Sequence, residues 1–399
     1  MSSSRNFFGL ALILGLVSAI GPFAIDMYLP ALPSIGASLN ASPGAVQMSL
    51  MAFFIASGVC QLIYGPISDM IGRKPPLYFG LSLFIVGSIG CALAPTIHAL
   101  IAFRVVQAVG ACAGSVVPRA MVRDMYTGPE AARLMSLLML VFSISPILAP
   151  SVGGAVIALT GWRGVFWATA IAAVIGLILI AFFMKETRPA EARSESSWTS
   201  AVISYGRLLK DRHYLAVVLV GAFGVSSFFV YVANSSFVII DFYGLSPSAF
   251  AIFFAFNAAA FFAAAQFTGM LSRRLGLGRL VRLAVTGFAA SMVLMTALFA
   301  LGLGSLAVMS GMLFIGWGFL GLVMPTTGVL AMEAHGRIAG SASALMGAIH
   351  VTIGAATMAI AGLFADGKPL SMITGITACA LTAFVLAQIF VRPPAADVR

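Results

Sequence analysis

Ala168-Thr-Ala-Ile-Ala-Ala-Val-Ile-Gly-Leu-Ile-Leu-Ile-Ala-Phe-Phe-Met184 carries no charge and only one hydroxyl, that of Thr169. A run of about 20 apolar residues spans a bilayer. Inside lipid the backbone must satisfy its own hydrogen bonds, which leaves helices or strands of a closed barrel. A barrel strand alternates apolar and polar positions, whereas 168–184 is apolar on every side, so it reads as a helix. Similar runs recur along the whole chain of 399 residues, 61% hydrophobic and 9% charged. A soluble chain carries about a quarter charged residues. A soluble domain is therefore excluded.

Breaks at polar and Pro/Gly clusters give twelve spans, at 7–31, 44–66, 77–94, 98–122, 133–158, 164–184, 214–240, 247–271, 280–302, 305–330, 338–364 and 371–391. The longest polar stretch, 185–213, is the one plausible linker. The expectation is an all-α membrane protein of twelve helices in two six-helix bundles, 1–184 and 214–399. The N-terminal run continues through Asp26 without a clear cleavage site and reads as the first retained helix rather than a signal peptide.

Lysine and arginine mark the cytoplasmic side of a membrane protein. Eighteen of the 22 fall at the termini or in even-numbered loops, from Arg5 through Arg73, Lys74, Arg123 and Arg133 to Arg392 and Arg399. Both termini and the linker are thus expected in the cytoplasm, with the chain in a bacterial inner membrane. This topology accounts for the net charge of +10 without a nucleic-acid partner. The four cysteines lie inside apolar runs at no metal-ligand spacing. No metal, disulfide framework or cofactor is expected.

The halves echo each other. Gly65-x-Ile67-x-Asp69-x-x-Gly72 follows the second span, and Gly269-x-Leu271-x-Arg273-x-x-Gly276 follows the eighth, 204 residues on. Parallel repeats of this kind let two-domain transporters rock about a midplane site. In Gly65-Pro-Ile-Ser-Asp69-Met-Ile-Gly72-Arg73-Lys74, Gly65 permits close helix approach and Gly72 a tight turn, while Asp69 accepts from Arg73 or from a helix N-terminus. Positive-inside charge alone explains Arg73 and Lys74 but not the ordered glycines. The segment resembles the loop between helices two and three of the major facilitator superfamily.

Span four, Leu100-x-x-x-Arg104-x-x-Gln107-x-x-Gly110, resembles the superfamily's fourth-helix motif, with Ala108 where many members have glycine. Gln107 shares a helical face with Arg104, and Gly110 and Gly114 offer a small-residue packing surface. The alternative for Arg104 is snorkelling to the outer headgroups. Span five, Ser145-Pro146-Ile-Leu-Ala149-Pro150-Ser-Val-Gly153-Gly154, resembles the motif of drug-exporting members, with Ala149 in place of a common glycine. A kinked helix without directional meaning is the rival reading.

Asp26-Met-Tyr28-Leu-Pro30-Ala-Leu-Pro33, with Ser115–Tyr126, is similar to the bicyclomycin- and chloramphenicol-resistance (Bcr/CflA) subfamily of drug:proton antiporters. The likeness covers essentially the whole chain and is strongest over 20–160. It implies the major facilitator fold and export of small amphiphilic antibiotics in exchange for protons. It also implies that Asp124 joins Asp69 and Arg73 in a cytoplasmic latch.

Asp26 is the carboxylate placed well inside the first bundle. Burial disfavours its charge and a nearby arginine favours it, so Asp26 is expected to couple protons, with Arg104 as its partner. The alternative is a structural acid. Tyr28, Gln107, Tyr231 and Asn257 are the expected substrate contacts. A proton-coupled importer or metabolite transporter is the nearest rival. A membrane enzyme lacks clustered catalytic groups, a sensor would not need the gate loop, and the absence of a phosphate-binding loop leaves ion coupling as the drive. A monomer suffices for such a mechanism.

Overall fold

The computed structural model describes residues 2–126, 128–194 and 197–391. Arg392 and Arg399, used above for orientation, lie outside the described residues, as do positions 195 and 196 of the linker. The chain divides into two compact units, Met1–Val202 and Ile203–Arg399.

Unit 1 is built from α1 (Ser2–Asp26), α2 (Leu32–Ser38), α3 (Pro43–Ile71), α4 (Lys74–Leu93), α5 (Ile97–Met125), α6 (Gly128–Thr160), α7 (Arg163–Phe183) and α8 (Ala190–Ser194). After α9 (Trp198–Leu208), unit 2 continues with α10 (Arg212–Ser236), α11 (Pro247–Gln266), α12 (Thr268–Leu275), α13 (Leu277–Ala300), α14 (Leu306–Met332), α15 (Ala339–Leu363) and α16 (Pro369–Phe390). Among the described residues 11 helical stretches are long and apolar enough to cross a membrane, and α6 adds a shorter one, Ile144–Thr160. The protein is an all-helical, multi-pass membrane protein.

Helix starts follow local chemistry. Ser42, Thr96, Ser246 and Ser305 each accept a backbone N–H from the first turn they precede, at 3.2–3.3 Å. Such caps satisfy donors that the helix itself leaves free. Asp211 caps α10 by accepting from His213 N at 2.8 Å and Tyr214 N at 3.0 Å. Those amides, Tyr214 first, hold its carboxyl below the usual range.

Three spans differ from the sequence expectation. The first is not one helix over 7–31. It stops at Asp26, passes through a 3-10 turn at Leu29–Ala31 and restarts as α2, because Pro30 and Pro33 have no N–H to continue the ladder. The eighth, expected to run unbroken over 247–271, stops at Gln266 and restarts at Thr268. The seventh ends in a π-helical segment, Phe237–Phe242.

Helices in lipid gain little from apolar burial, so close approach depends on small residues. A Cβ on Gly114 of α5 would stand 2.9 Å from the Val17 carbonyl oxygen of α1, and one on Gly110 would overlap the Gly80 carbonyl of α4. In unit 2 other crossings rest on glycine too, Gly321 of α14 against Phe261 of α11 and Gly354 of α15 against Phe229 of α10.

Candidate functional site

Breaking the first span creates the site in unit 1. Tyr28 N would bond the Ala24 carbonyl in a continuing helix, but here it bonds Ile25 O at 3.1 Å. The Ala24 oxygen instead accepts from Arg104 Nη1 at 3.3 Å. The C-terminal end of α1 carries the negative pole of its dipole, which favours a cation. Arg104 is fully buried, with its guanidinium carbon 4.5 Å from the Tyr28 ring centre and 4.3 Å from that of Phe53. A desolvated cation between two aromatic faces gains about 2 kcal/mol. Arg104 Nη1 also donates to Gln107 Oε1 at 2.6 Å, and Gln107 Nε2 donates to Ser88 Oγ at 2.8 Å. Tyr28 and Ser49 share a hydroxyl–hydroxyl bond of 2.7 Å. Arg104 Nε and Nη2 are buried without a hydrogen-bond partner among the described residues.

The structure thus brings Tyr28, Arg104 and Gln107 together and excludes snorkelling for Arg104. It does not give Arg104 the partner expected from sequence. Asp26, 6% exposed, accepts from the Ser145 hydroxyl at 2.9 Å, and among the described residues no cation lies within ion-pairing distance of it. The reason is geometric: Asp26 turns toward α6, while Arg104 takes the helix-end carbonyl and two aromatic faces.

The fifth-span motif lies against this same helix end. A Cβ on Gly153 would collide with the Met27 backbone. Ala149, Met27 and Val165 form one buried cluster, so the methyl that replaces the common glycine is filled space. Pro150 and Gly154 are buried and Pro146 is half-buried, and α6 runs through both prolines unbroken.

In unit 2 the Trp317 indole lies 5.6 Å from Tyr231, 6.0 Å from Phe228 and 6.0 Å from Phe288, and Tyr231 stacks on Phe254 at 5.5 Å. Tyr231 Oη, Trp317 Nε1 and Asn257 Oδ1 are buried with no partner among the described residues. Asn257 Nδ2 donates to its own helix at Phe253 O, 2.8 Å away. Unpaired buried polar atoms are costly, and an arriving ligand with a donor and an acceptor would satisfy them. Sequence reading singled out Tyr231 and Asn257 but not Trp317, one aromatic among many. A separate groove of about 350 Å³, lined by Phe223, Thr357, Phe364 and Cys379 among others, contains none of the expected residues.

The turn between α3 and α4 gathers a charge cluster. Gly72 has φ +98°, a conformation open to glycine and costly for other residues. Arg73, 3% exposed, lies 2.7 Å from Asp69 Oδ1 and donates through Nε and Nη2 to Asp124 at 2.7 and 3.1 Å, and through Nη1 to Ser68 at 2.7 Å. Burial opposes the Arg73 charge, but Asp124 and Asp69 outweigh it and push its pKa up. Asp69, Arg73 and Asp124 are therefore in contact. Asp69 thus meets Arg73, the first of its two expected partners. Nothing among the described residues of unit 1 lies within 4 Å of a Cβ built on Gly65. The amides that open α4 are capped by Glu186, a residue sequence reading passed over, which accepts from Arg73 N at 2.8 Å and Lys74 N at 3.0 Å. Lys74 Nζ donates to Met184 O at 2.8 Å.

No group of three or more potential metal ligands occurs among the described residues. A family model described as Major Facilitator Superfamily matches residues 14–359. The chain is 38% identical over 380 residues, 94% of each chain, to the "Uncharacterized MFS-type transporter YdgK" of Bacillus subtilis. It is 28% identical over 363 residues, 89% of each, to a "Bicyclomycin resistance protein homolog" of Haemophilus influenzae. It is 30% identical over 360 residues, 90% of this chain and 89% of the other, to "Multidrug resistance protein D" of Escherichia coli. Among solved structures, a D-xylose-proton symporter superposes with a TM-score of 0.76 at 15% identity, covering 97% of this chain and 98% of its own. That likeness concerns the fold alone.

Proposed function

Since the chain belongs to the major facilitator superfamily, we propose that it is a proton-coupled exporter of small amphiphilic antibiotics of the bicyclomycin or chloramphenicol type. The observation that carries this reading is Asp26, a buried carboxyl at the broken end of α1, held by Ser145 and free of any ion pair among the described residues. A carboxyl so placed gains or loses its proton according to whether water reaches it. In the proposed cycle, proton uptake at Asp26 and cargo release exclude one another. Arg104 acts on the other side of the same helix end, tuning the field there. Tyr28, Gln107, Tyr231 and Asn257 contact the cargo. The names of the resistance-protein relatives support drugs as the substrate class.

The cluster of Asp69, Arg73, Lys74 and Asp124 serves as the gate that closes one side, with Gly65 and Gly72 shaping its turn. Pro146, Pro150, Gly153 and Gly154 hold the fifth span against the Asp26 end of α1 and bias the transporter toward export. The lysine and arginine distribution supports an inner-membrane location with both termini cytoplasmic. The test is a susceptibility panel in an efflux-deficient bacterial host, with and without a protonophore. Expression should raise tolerance to bicyclomycin or chloramphenicol, and the protonophore should abolish the gain. Unchanged tolerance to every compound, with the protein present in the membrane, contradicts the reading.

A further inference from the structure

The stretch that follows α7 opens the polar linker, yet it is folded onto the α3–α4 turn. The Glu186 carboxylate collects four backbone N–H groups. Oε1 accepts from Arg73, Thr187 and Arg188 at 2.8, 3.0 and 3.0 Å, and Oε2 accepts from Lys74 at 3.0 Å. Two of these amides open α4 and two belong to the strand of chain leaving α7. One side chain therefore ties the turn to the connection. Arg193 closes the arrangement, with Nη2 3.9 Å from Glu186 and hydrogen bonds from Nε and Nη2 to the Arg188 carbonyl at 3.1 and 2.9 Å. Thr187 Oγ1 donates to Asp124 Oδ2 at 3.2 Å, so the same segment also reaches the carboxylate that holds Arg73. Burial raises the pKa of Glu186, but the amides of Arg188, Arg73 and Lys74 and the Arg193 charge outweigh it and hold it below the usual range. The tie stays ionised at neutral pH.

Gly72 gives independent support for this arrangement. A Cβ there would lie 2.7 Å from Glu186 Oε2, 3.0 Å from its Cδ and 3.1 Å from Arg193 Cζ. Glycine at 72 thus does two things: it permits the turn, and it leaves room for the carboxylate beneath it.

We propose that residues 184–193 form a strap latched by Glu186, which positions the Gly72–Lys74 turn and passes movements of α7 to the Asp69–Arg73–Asp124 cluster. The role of that cluster as a gate rests on the function proposed above, whereas the strap does not. Glu186 touches no cargo in this account. It is a positioning residue, acting through the first turn of α4 and through Arg73.

The test uses the full chain in lipid nanodiscs, where trypsin reaches both faces, and follows cleavage after Lys185 and Arg193. Lys185 is already exposed, but cleavage also needs the backbone free of the folded segment; opening the latch frees it at both sites, so Glu186→Ala and Gly72→Ala should each be cut about tenfold faster than the parent chain. Glu186→Gln, whose amide oxygen still accepts, should fall between. Cleavage at the parent rate in both Glu186→Ala and Gly72→Ala overturns the strap. The transport arm measures drug export by the same variants: the maximal rate should fall while KM stays unchanged, with partial rescue in Glu186→Gln. Faster cleavage with an unaltered maximal rate would overturn the positioning role. A parent chain that exports nothing would count against the drug-export reading alone, because the proteolysis result stands without any substrate.

Discussion

In unit 1 a guanidinium, that of Arg104, lies between Tyr28 and Phe53; in unit 2 an indole, that of Trp317, lies against Tyr231, which stacks on Phe254. The three members come from the first, second and fourth spans of one unit and from the seventh, eighth and tenth of the other. The turns after the second and eighth spans compare in the same way. Gly72 and Gly276, 204 residues apart, both adopt positive φ, +98° and +76°. Asp69 and Arg73 in the first turn correspond to Arg273 and Leu277 in the second. The backbone plan is duplicated while the charges are not: among the described residues, the buried Asp, Glu, Lys and Arg are Asp26, Arg73 and Arg104, all in unit 1. Buried charge is expensive unless used. Under the proposed function, proton coupling and the latch would fall to unit 1, while unit 2 would meet the cargo with neutral aromatic and amide groups, beside Tyr28 and Gln107 of unit 1.

That assignment can be broken at several points, the largest effect first. Asp26→Asn should abolish uphill export driven by a pH gradient while leaving drug binding to the purified protein intact. No single substitution in unit 2 should separate the two. Arg73→Ala leaves Asp69 without its cation and Asp124 with Arg188 alone, 4.0 Å away, and should cost about 1–3 kcal/mol, read as a lower unfolding temperature in detergent. Arg104→Lys keeps the charge but loses the flat face that meets Tyr28 and Phe53, and should weaken drug binding by about tenfold. Trp317→Phe removes a donor with no partner among the described residues and should weaken binding of acceptor-bearing drugs by about fivefold. The smallest effect belongs to Arg273→Ala, on the exposed counterpart of Asp69. It should change stability by no more than about 0.5 kcal/mol. A large loss there would show that the second turn also latches.

Much of the fold was legible because it is local. Apolar runs set the helices, and the matching glycines at 72 and 276 mark the turns. Pro30 and Pro33 were visible too, but a break inside an otherwise apolar span is easily read through, and so the end of α1 at Asp26 was missed. The contacts of the site were less legible, because they join residues far apart in sequence. Glu186 lies 113 positions from Arg73, in a polar stretch with nothing to set it apart. Asp26 and Arg104 invited pairing as the opposite charges of one bundle. Sequence does not reveal that a broken helix frees the Ala24 carbonyl for Arg104, or that Ser145 meets Asp26 first. Gly110 and Gly114 carried a packing expectation, and the helix crossings of unit 1 use them, together with Gly80.

The most direct measurement is proton release on drug binding by the purified chain, in lightly buffered detergent solution near neutral pH. If uptake of H⁺ at Asp26 and occupancy by cargo are mutually exclusive, adding drug to the proton-loaded protein expels protons, and Asp26→Asn binds the drug without expelling any. Equal release from both proteins, or binding to the parent chain with no release across the pH range, contradicts the account.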